Sequence, residues 1–384
     1  MHRPVVKPTN KNFSSGPCAK RPGWSFEILK KATLGRSHRA DASRKKLFKL
    51  IKLTKEVLRL PKDYIVGIVP GSDTGAVEMS MWNFLGPKGV TSLVWDSFSE
   101  DWSIDLSKQL RFTKLNIISA DYGKLPDLSS INFNDDIIFN WNGTTSGVRI
   151  PNTDWIPSDR KGITICDATS AAFAMEIDWT KLDVSTFSWQ KCLGGEAGHG
   201  MLILSPKAVK RINSFVPSWP IPKLFQLRKG HKLNLDIFNG ATINTPSMLC
   251  VEDFLDCLEW SKNIGGLNML IDRSLKNLEI IERWVKSSSW IDFLSEKKNT
   301  NSSTSICLQF SDKKLNYPSA EYKIKIKDFI VSILEKEKVA FDIGSYRSAP
   351  TGLRIWGGPT VETKDIKLLI PWIDWAYEKA IKNI

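Results

Sequence analysis

Between residues 64 and 204, seven short runs rich in β-branched and apolar residues alternate with helical or loop segments. They occupy 64–69, 92–95, 115–119, 136–141, 162–166, 184–188 and 201–204. Strands of this length separated by helices predict an α/β fold around a mostly parallel sheet, buried on both faces. The binding crevice of such a sheet opens beyond the carboxyl ends of its strands. A chain of 384 residues also exceeds what one hydrophobic core usually serves, about 250–300 residues, so a second unit is expected.

Helical patterns lie near 25–32, 43–58, 245–263, 267–287, 322–338 and 363–382, and further strands at 305–310 and 353–356. Residues 1–24, rich in Pro, Lys, Ser and Gly, read as an extended arm, 216–222 as a surface connection and 297–304 as a polar loop. The expected division is a large domain of residues 16–262 and a smaller α+β domain formed by 1–15 with 263–384.

The net charge of +13, from 54 basic against 41 acidic residues, raises the question of nucleic acid. The lysines are scattered without a long basic block, and no nucleic-acid module accompanies them, so attraction of small anionic substrates is the better use of the charge. The six cysteines (Cys18, Cys166, Cys192, Cys250, Cys257, Cys307) form no Cys-x-x-Cys pair and no metal-ligand spacing with the four histidines. Reduced thiols in a cytoplasmic protein, with no metal, are expected. The amino terminus has no apolar signal region, and no run approaches the ~18 apolar residues of a membrane span.

Chemistry concentrates in residues 187–200, where Lys191 stands between Trp189-Gln190 and Cys192-Leu193 with a glycine-rich loop behind. Desolvation there would lower its pKa and free the amine for Schiff-base formation; a structural lysine at a strand end is the alternative. Asp167 ends an apolar run 24 residues earlier. A carboxylate leaving a buried strand needs a cationic partner or a turn to cap. An acid beside a pyridinium nitrogen, with a Schiff-base lysine one strand further on, is the pattern of pyridoxal phosphate sites. Residues 69–76 (Val-Pro-Gly-Ser-Asp-Thr-Gly-Ala) lie between a strand and a helix, where free amides and the Ser72 and Thr74 hydroxyls would make a phosphate cup. The stretch is neither a Walker A nor a GxGxxG sequence, and an ordinary capped turn accounts for it equally.

Four ordered motifs resemble the phosphoserine aminotransferases, class V members of the fold-type I pyridoxal phosphate enzymes. They are residues 13–17 (Phe-Ser-Ser-Gly-Pro), 167–170 (Asp-Ala-Thr-Ser), 188–191 (Ser-Trp-Gln-Lys) and 240–246 (Gly-Ala-Thr-Ile-Asn-Thr-Pro). The resemblance covers nearly the whole chain and implies a large domain on a mostly parallel seven-stranded sheet with a smaller α+β domain. It further implies that Lys191 holds pyridoxal 5'-phosphate as a Schiff base and that Asp167 stabilises the protonated pyridine nitrogen. Trp102 falls where the family stacks a ring on the cofactor, with Phe98 or Trp95 as alternatives, and Thr144 or else Thr145 falls near the cofactor hydroxyl. The phosphate is assigned to Ser72, Asp73, Thr74 and Gly75, mainly through backbone amides, with Thr169 and Gln190. Asn244 and Thr245 match a pair that reaches this phosphate from the other subunit of a homodimer.

The substrates implied are glutamate and 3-phosphohydroxypyruvate, with the 4-phosphohydroxythreonine pair of pyridoxine synthesis as a further candidate. Arginine suits both carboxylate and phosphate because its planar fork donates two parallel hydrogen bonds. By position, Arg354 is assigned to the α-carboxylate, and His38, Arg39 and Arg347 to the substrate phosphate. Two features depart from the family pattern: Tyr346-Arg347 stands where many members have His-Arg, and Ser-Asp-Thr-Gly replaces a Gly-rich cup with arginine. The alternatives are another class V enzyme, such as a serine–glyoxylate aminotransferase or a cysteine desulfurase, and a non-catalytic basic binding protein. A desulfurase needs a mobile nucleophilic cysteine, for which Cys192 is poorly suited.

Overall fold

The computed structural model describes residues 2–311, 319–346 and 348–383. All seven runs between 64 and 204 are strands of one sheet: β1 (Ile65–Pro70), β2 (Val90–Val94), β3 (Leu115–Ser119), β4 (Asp136–Asn140), β5 (Thr164–Asp167), β6 (Val184–Ser188) and β7 (His199–Leu204). Their order is β1-β7-β6-β5-β4-β2-β3. Only β7 runs against its neighbours, β1 and β6; every other pairing is parallel.

Successive side chains of a strand point to opposite faces, so apolar runs without polar alternation feed two cores at once. Ile137 and Phe139 enter one core with Met201 and Ile203, while Ile138 enters the other with Leu202 and Leu204. The first core is covered by α1 (Asp41–Leu58), whose buried stripe includes Leu47, Leu50, Ile51, Val57 and Leu58. The second is covered by α2 (Ser72–Phe84) and α4 (Pro206–Ser214). Each fully buried Leu, Ile or Phe side chain contributes roughly 1.5–3 kcal/mol. Between them, α3 (Ser97–Ile104) starts on a reciprocal cap in which the Asp96 carboxylate accepts from the Ser99 N–H and the Ser99 hydroxyl from the Asp96 N–H.

After α5 (Met248–Asn263) and α6 (Gly266–Ser287), a second, antiparallel sheet forms from β8 (Ile291–Phe293), β9 (Ser305–Phe310) and β10 (Gly352–Trp356), with α7 (Ala320–Lys336) and α8 (Thr363–Asn383) beside it. The three-residue β8 has too short a pattern to stand out in the sequence. The expected helix at 25–32 is instead a 3-10 segment, Phe26–Lys31, with no buried residue to drive a longer helix. α5 begins at Met248 because extended Ser247, which follows Pro246, caps it by accepting from the Cys250 N–H.

The amino-terminal arm lies along the second sheet. The Trp372 indole donates to the Val6 carbonyl at 2.8 Å, the Phe341 N–H to the Lys11 carbonyl at 2.9 Å and the Trp356 N–H to the Phe13 carbonyl at 3.0 Å. These bonds deliver Ser15 and Gly16 to the carboxyl ends of the large sheet. Among the described residues, no helix is long and apolar enough to cross a membrane.

Candidate active site

Beyond β6 the chain turns sharply: the Gly194 N–H donates to the Lys191 carbonyl at 2.9 Å and the Gly195 N–H to the Trp189 carbonyl at 3.0 Å. The Cys18 N–H, from the arm, donates to the Gln190 carbonyl at 2.9 Å. Trp189 is fully buried and stacks on His199 and on Phe254, with ring centroids 4.4 and 4.9 Å away. The backbone is thus anchored on both sides of Lys191, whose side chain enters a cavity of about 200 Å³. There its Nζ donates to the Ser15 carbonyl at 2.5 Å. Burial pushes the pKa of this amine below its ordinary value; Cys18 and Asp167 oppose the shift and Arg354 reinforces it. Such a shift favours the neutral, nucleophilic form of the amine.

Asp167 is the last residue of β5 and lines the same cavity. Its Oδ1 accepts from the Thr169 N–H at 2.9 Å, and its Oδ2 faces the Trp102 indole N–H at 3.4 Å. The carboxylate therefore both caps its turn and stands at the cavity wall. Of the three aromatic candidates, Trp102 and Phe98 line the cavity, one helical turn apart on α3, whereas the Trp95 indole donates to the Val148 carbonyl at 3.0 Å. Of the two threonines, Thr144 lines it, donating to the Ser170 hydroxyl at 2.9 Å. The Thr145 hydroxyl accepts from the Ser97 N–H, at the start of α3.

The turn after β1 brings Ser72, Asp73 and Thr74 to the same cavity, with Gln190 donating to the Ser72 hydroxyl at 2.7 Å. Gly75 sits behind them and does not line the cavity. Its N–H donates to the Gly71 carbonyl at 2.9 Å, closing the first turn of α2, and a Cβ there would lie 2.3 Å from the Pro70 carbonyl oxygen. The amides of Asp73 and Thr74 have no acceptor among the described residues and are the donors α2 offers to an anion. The Asp73 side chain, by contrast, is buried against Asp167.

Buried polar atoms without partners gather around this cavity: Asp73 Oδ1, Thr169 Oγ1, Ser188 Oγ and Gln190 Oε1. Buried polar groups are nearly always paired, so orphans along one cavity suit a polar ligand. The residues present fit pyridoxal phosphate: an amine for its aldehyde, a carboxylate for its ring nitrogen, an indole for its ring and a helix amino terminus for its phosphate.

Four of the expected residues lie away from this cavity. His38 and Arg39 line a separate surface pocket of about 320 Å³, together with Asp236, Gly240, Ala241 and Thr242. His38 is buried, and its pKa is lowered by that burial and then by Arg39. Asn244 and Thr245 are exposed. Arg354, on β10, is close enough for its charge to act on Lys191; its guanidinium lies 5.5 Å from the Tyr346 ring centre, and its buried Nε has no hydrogen-bond partner among the described residues. Arg347 lies outside the described residues.

The contribution of Ser15 to the Lys191 amine had no side-chain signal, because the acceptor is a backbone carbonyl; only the motif at 13–17 marked the place. All six cysteines are free and none lines the cavity. Cys192 is buried, which pushes its thiol well above the ordinary range and gives no support to a desulfurase.

No protein-family model matches the chain. Individual relatives do. The chain is 54% identical over 376 residues to the phosphoserine aminotransferase of Methanosarcina mazei, spanning 98% of this chain and 99% of that protein. It is 55% identical over 377 residues to that of Methanosarcina barkeri, with the same coverage. Among solved structures, the phosphoserine aminotransferase of Cytophaga hutchinsonii superposes with a TM-score of 0.81 at 20% identity, covering 95% of this chain and 98% of that one. Pyridoxamine-pyruvate aminotransferase from Mesorhizobium loti superposes with a TM-score of 0.80 at 16% identity, covering 99% and 95%. The fold is therefore shared with aminotransferases of different substrates, and the discrimination comes from identity above one half along the full length: the chain belongs to the phosphoserine aminotransferase family.

Proposed function

We propose that the protein transfers the amino group of glutamate to 3-phosphohydroxypyruvate, giving 2-oxoglutarate and O-phosphoserine, with pyridoxal phosphate held in the Lys191 cavity. The observation that carries this reading is the buried Lys191 amine, its pKa lowered, in one cavity with the Asp167 carboxylate and the first turn of α2. When bound, pyridoxal phosphate supplies a carbonyl that takes up the amino group and a ring that accepts the electron pair left when the α-proton departs.

The protein's own groups do the rest. The neutral Lys191 Nζ takes the proton from the substrate α-carbon and returns it during the reverse half of the cycle. Asp167 keeps a proton on the ring nitrogen. The Asp73 and Thr74 amides, with Ser72, Thr169 and Gln190, hold the cofactor phosphate, and Trp102 with Phe98 excludes water from the ring face. Arg354, whose Nε has no hydrogen-bond partner among the described residues, receives the substrate α-carboxylate.

The reading extends to a homodimer in which Asn244 and Thr245, with His38 and Arg39, complete the neighbouring subunit's site, and to Arg347 as a further phosphate contact. It is supported by their position: in one chain these four residues lie outside the Lys191 cavity, and the 240–242 stretch leading to Asn244 shares the surface pocket of His38 and Arg39. The separate seven-stranded and three-stranded sheets support units of residues 16–262 and 1–15 with 263–384. Six unpaired cysteines support a reducing, cytoplasmic setting. Activity on the 4-phosphohydroxythreonine pair is proposed on the same anion-binding groups.

The deciding assay compares glutamate-dependent amination of 3-phosphohydroxypyruvate with that of its dephosphorylated analogue and of glyoxylate. The phosphorylated substrate should lead in kcat/KM by at least ~100-fold, the size of one or two lost charge-assisted hydrogen bonds. Equal or faster turnover of glyoxylate would move the protein to the glyoxylate-type aminotransferases.

A further inference from the structure

Two carboxyl groups meet in the cavity wall. Asp73, the second residue of α2, is only 6% exposed, lines the same cavity as Asp167 and lies close enough for the two carboxyls to act on each other. Its Oδ1 has no donor among the described residues, while Asp167 already accepts from the Thr169 N–H and faces the Trp102 indole. No lysine or arginine forms an ion pair with either carboxyl among the described residues.

The other titratable groups nearby do not relieve the pair. Cys166, beside Asp167 on β5, is buried, and both carboxylates further disfavour its thiolate. Asp96, ahead of α3, is occupied by Ser99, the Thr145 N–H and Asn140. Lys191 interacts with Asp167, which opposes the lowering of the lysine's pKa by burial, but it forms no ion pair with either carboxyl among the described residues. Two carboxylates in contact in a buried wall cannot both stay ionised, and one proton between them turns an orphaned oxygen contact into a hydrogen bond. Asp167 already has the Thr169 N–H and the Trp102 indole to favour its ionised form, whereas the buried Asp73 Oδ1 has no donor, so Asp73 is the better seat for the proton. In keeping with this, burial and then Asp167 push the Asp73 pKa well above the carboxylate range, against the opposing effect of the Thr169 and Thr186 side chains.

We propose that Asp73 is a neutral carboxylic acid that donates a hydrogen bond to Asp167 and holds its carboxylate toward the cofactor ring nitrogen. This rests on the reading of Asp167 given above. Asp73 is thus a positioning residue: its backbone amide serves the phosphate, and its side chain serves the ring. An ionised Asp73 would also place negative charge at the helix terminus offered to the phosphate, which a protonated side chain avoids.

The test uses the full-length protein, Asp73→Asn, which keeps a donor, and Asp73→Ala, which does not, with circular dichroism confirming the fold of each. At neutral pH, difference infrared spectra of the unloaded protein should contain a protonated-carboxyl C=O band that is absent from Asp73→Asn. After loading, Asp73→Ala should release pyridoxal phosphate and lose kcat by about 10- to 100-fold, the scale of one charge-assisted hydrogen bond, with Asp73→Asn recovering most of both losses. Absence of the band, or an Asn variant as impaired as the Ala variant, overturns the proposal. Tighter cofactor binding in both variants also overturns it, because it means that an anion was removed from beside the phosphate. A wild-type protein that shows the band but binds no cofactor refutes the functional reading instead.

Discussion

The Lys191 Nζ donates to the carbonyl oxygen of Ser15, a residue 176 positions earlier in the chain, at 2.5 Å. The arm that carries Ser15 is secured to the second sheet by Phe13, so the lysine on the large sheet is oriented by a segment bonded to the small one. Ser305 reinforces the junction, donating to the Thr144 carbonyl at 2.5 Å and to the Ser15 hydroxyl at 3.3 Å.

Gly16 follows Ser15 with φ of +145°, and a Cβ there would stand 2.5 Å from Lys191 Nζ. Gly16→Ala should therefore displace the lysine while costing only about 1–2 kcal/mol of overall stability, the scale of a strained positive-φ substitution. Cofactor content by absorbance should fall well before the melting temperature does. Full cofactor content in the variant would refute the close approach.

In the proposed function, Lys191→Ala removes the amine that attaches the cofactor and moves the proton. The wild-type protein should be yellow, and borohydride followed by peptide mapping should label Lys191. The variant should lose that label and about 100- to 10,000-fold in turnover. Normal covalent labelling of the variant at another lysine would show that the attachment site is wrong.

Arg354→Gln should raise KM for both substrates, about 10- to 100-fold, since both carry an α-carboxylate. Its positive charge also lowers the Lys191 pKa, so the variant's lysine should react with an amine-directed reagent only at higher pH. The two readouts separate a substrate-binding arginine from a purely structural one.

His199 carries the pH signal. Burial lowers its pKa from 6.5 to about 4, and its Nε2 accepts from the Ser247 N–H at 3.2 Å. Below pH 6.5 the unfolded chain takes up a proton at this site that the folded chain refuses until about pH 4, so this contribution to stability is complete above 6.5 and declines as pH falls toward 4. The loss approaches roughly 3 kcal/mol across that window. Denaturant titrations of the wild type and His199→Asn between these limits should differ in slope with pH, whatever their difference at neutral pH; parallel slopes would sink the assignment.

Arg211 on α4 pairs in two-pronged fashion with Asp136 at the start of β4, at 2.7 and 2.9 Å, and the carboxylate is fully buried. Arg211→Met leaves that charge unpaired and should cost about 3–5 kcal/mol in chemical denaturation. Exchanging a surface pair such as Lys45 with Asp41 should stay near the noise of the measurement.

Much of this was legible in order along the chain. Strand periodicity is local, so β3, β6 and β9 fall where their residues predict; β6 is buried throughout, whereas β3, at the edge of the sheet, keeps its span although much of it is exposed. Where the pattern was short or without an apolar face, as at β8 and at Phe26–Lys31, local signals did not reveal the element formed. The placement of Lys191 and Asp167 in one cavity follows from their positions at or just beyond the carboxyl ends of adjacent parallel strands, which the spacing of two strands already implies.

The sequence alone therefore determined the α/β sheet, through local hydrophobic pattern and strand order, and singled out Lys191 and Asp167 once the four motifs were read together as a family resemblance. Only the tertiary structure decided which backbone carbonyl meets the lysine, that Gly75 stands behind the cup, that the Asp73 side chain turns to Asp167, and that His38 and Arg39 lie in a separate pocket. Those outcomes depend on side-chain direction and on contacts between segments far apart in sequence, which no local pattern encodes.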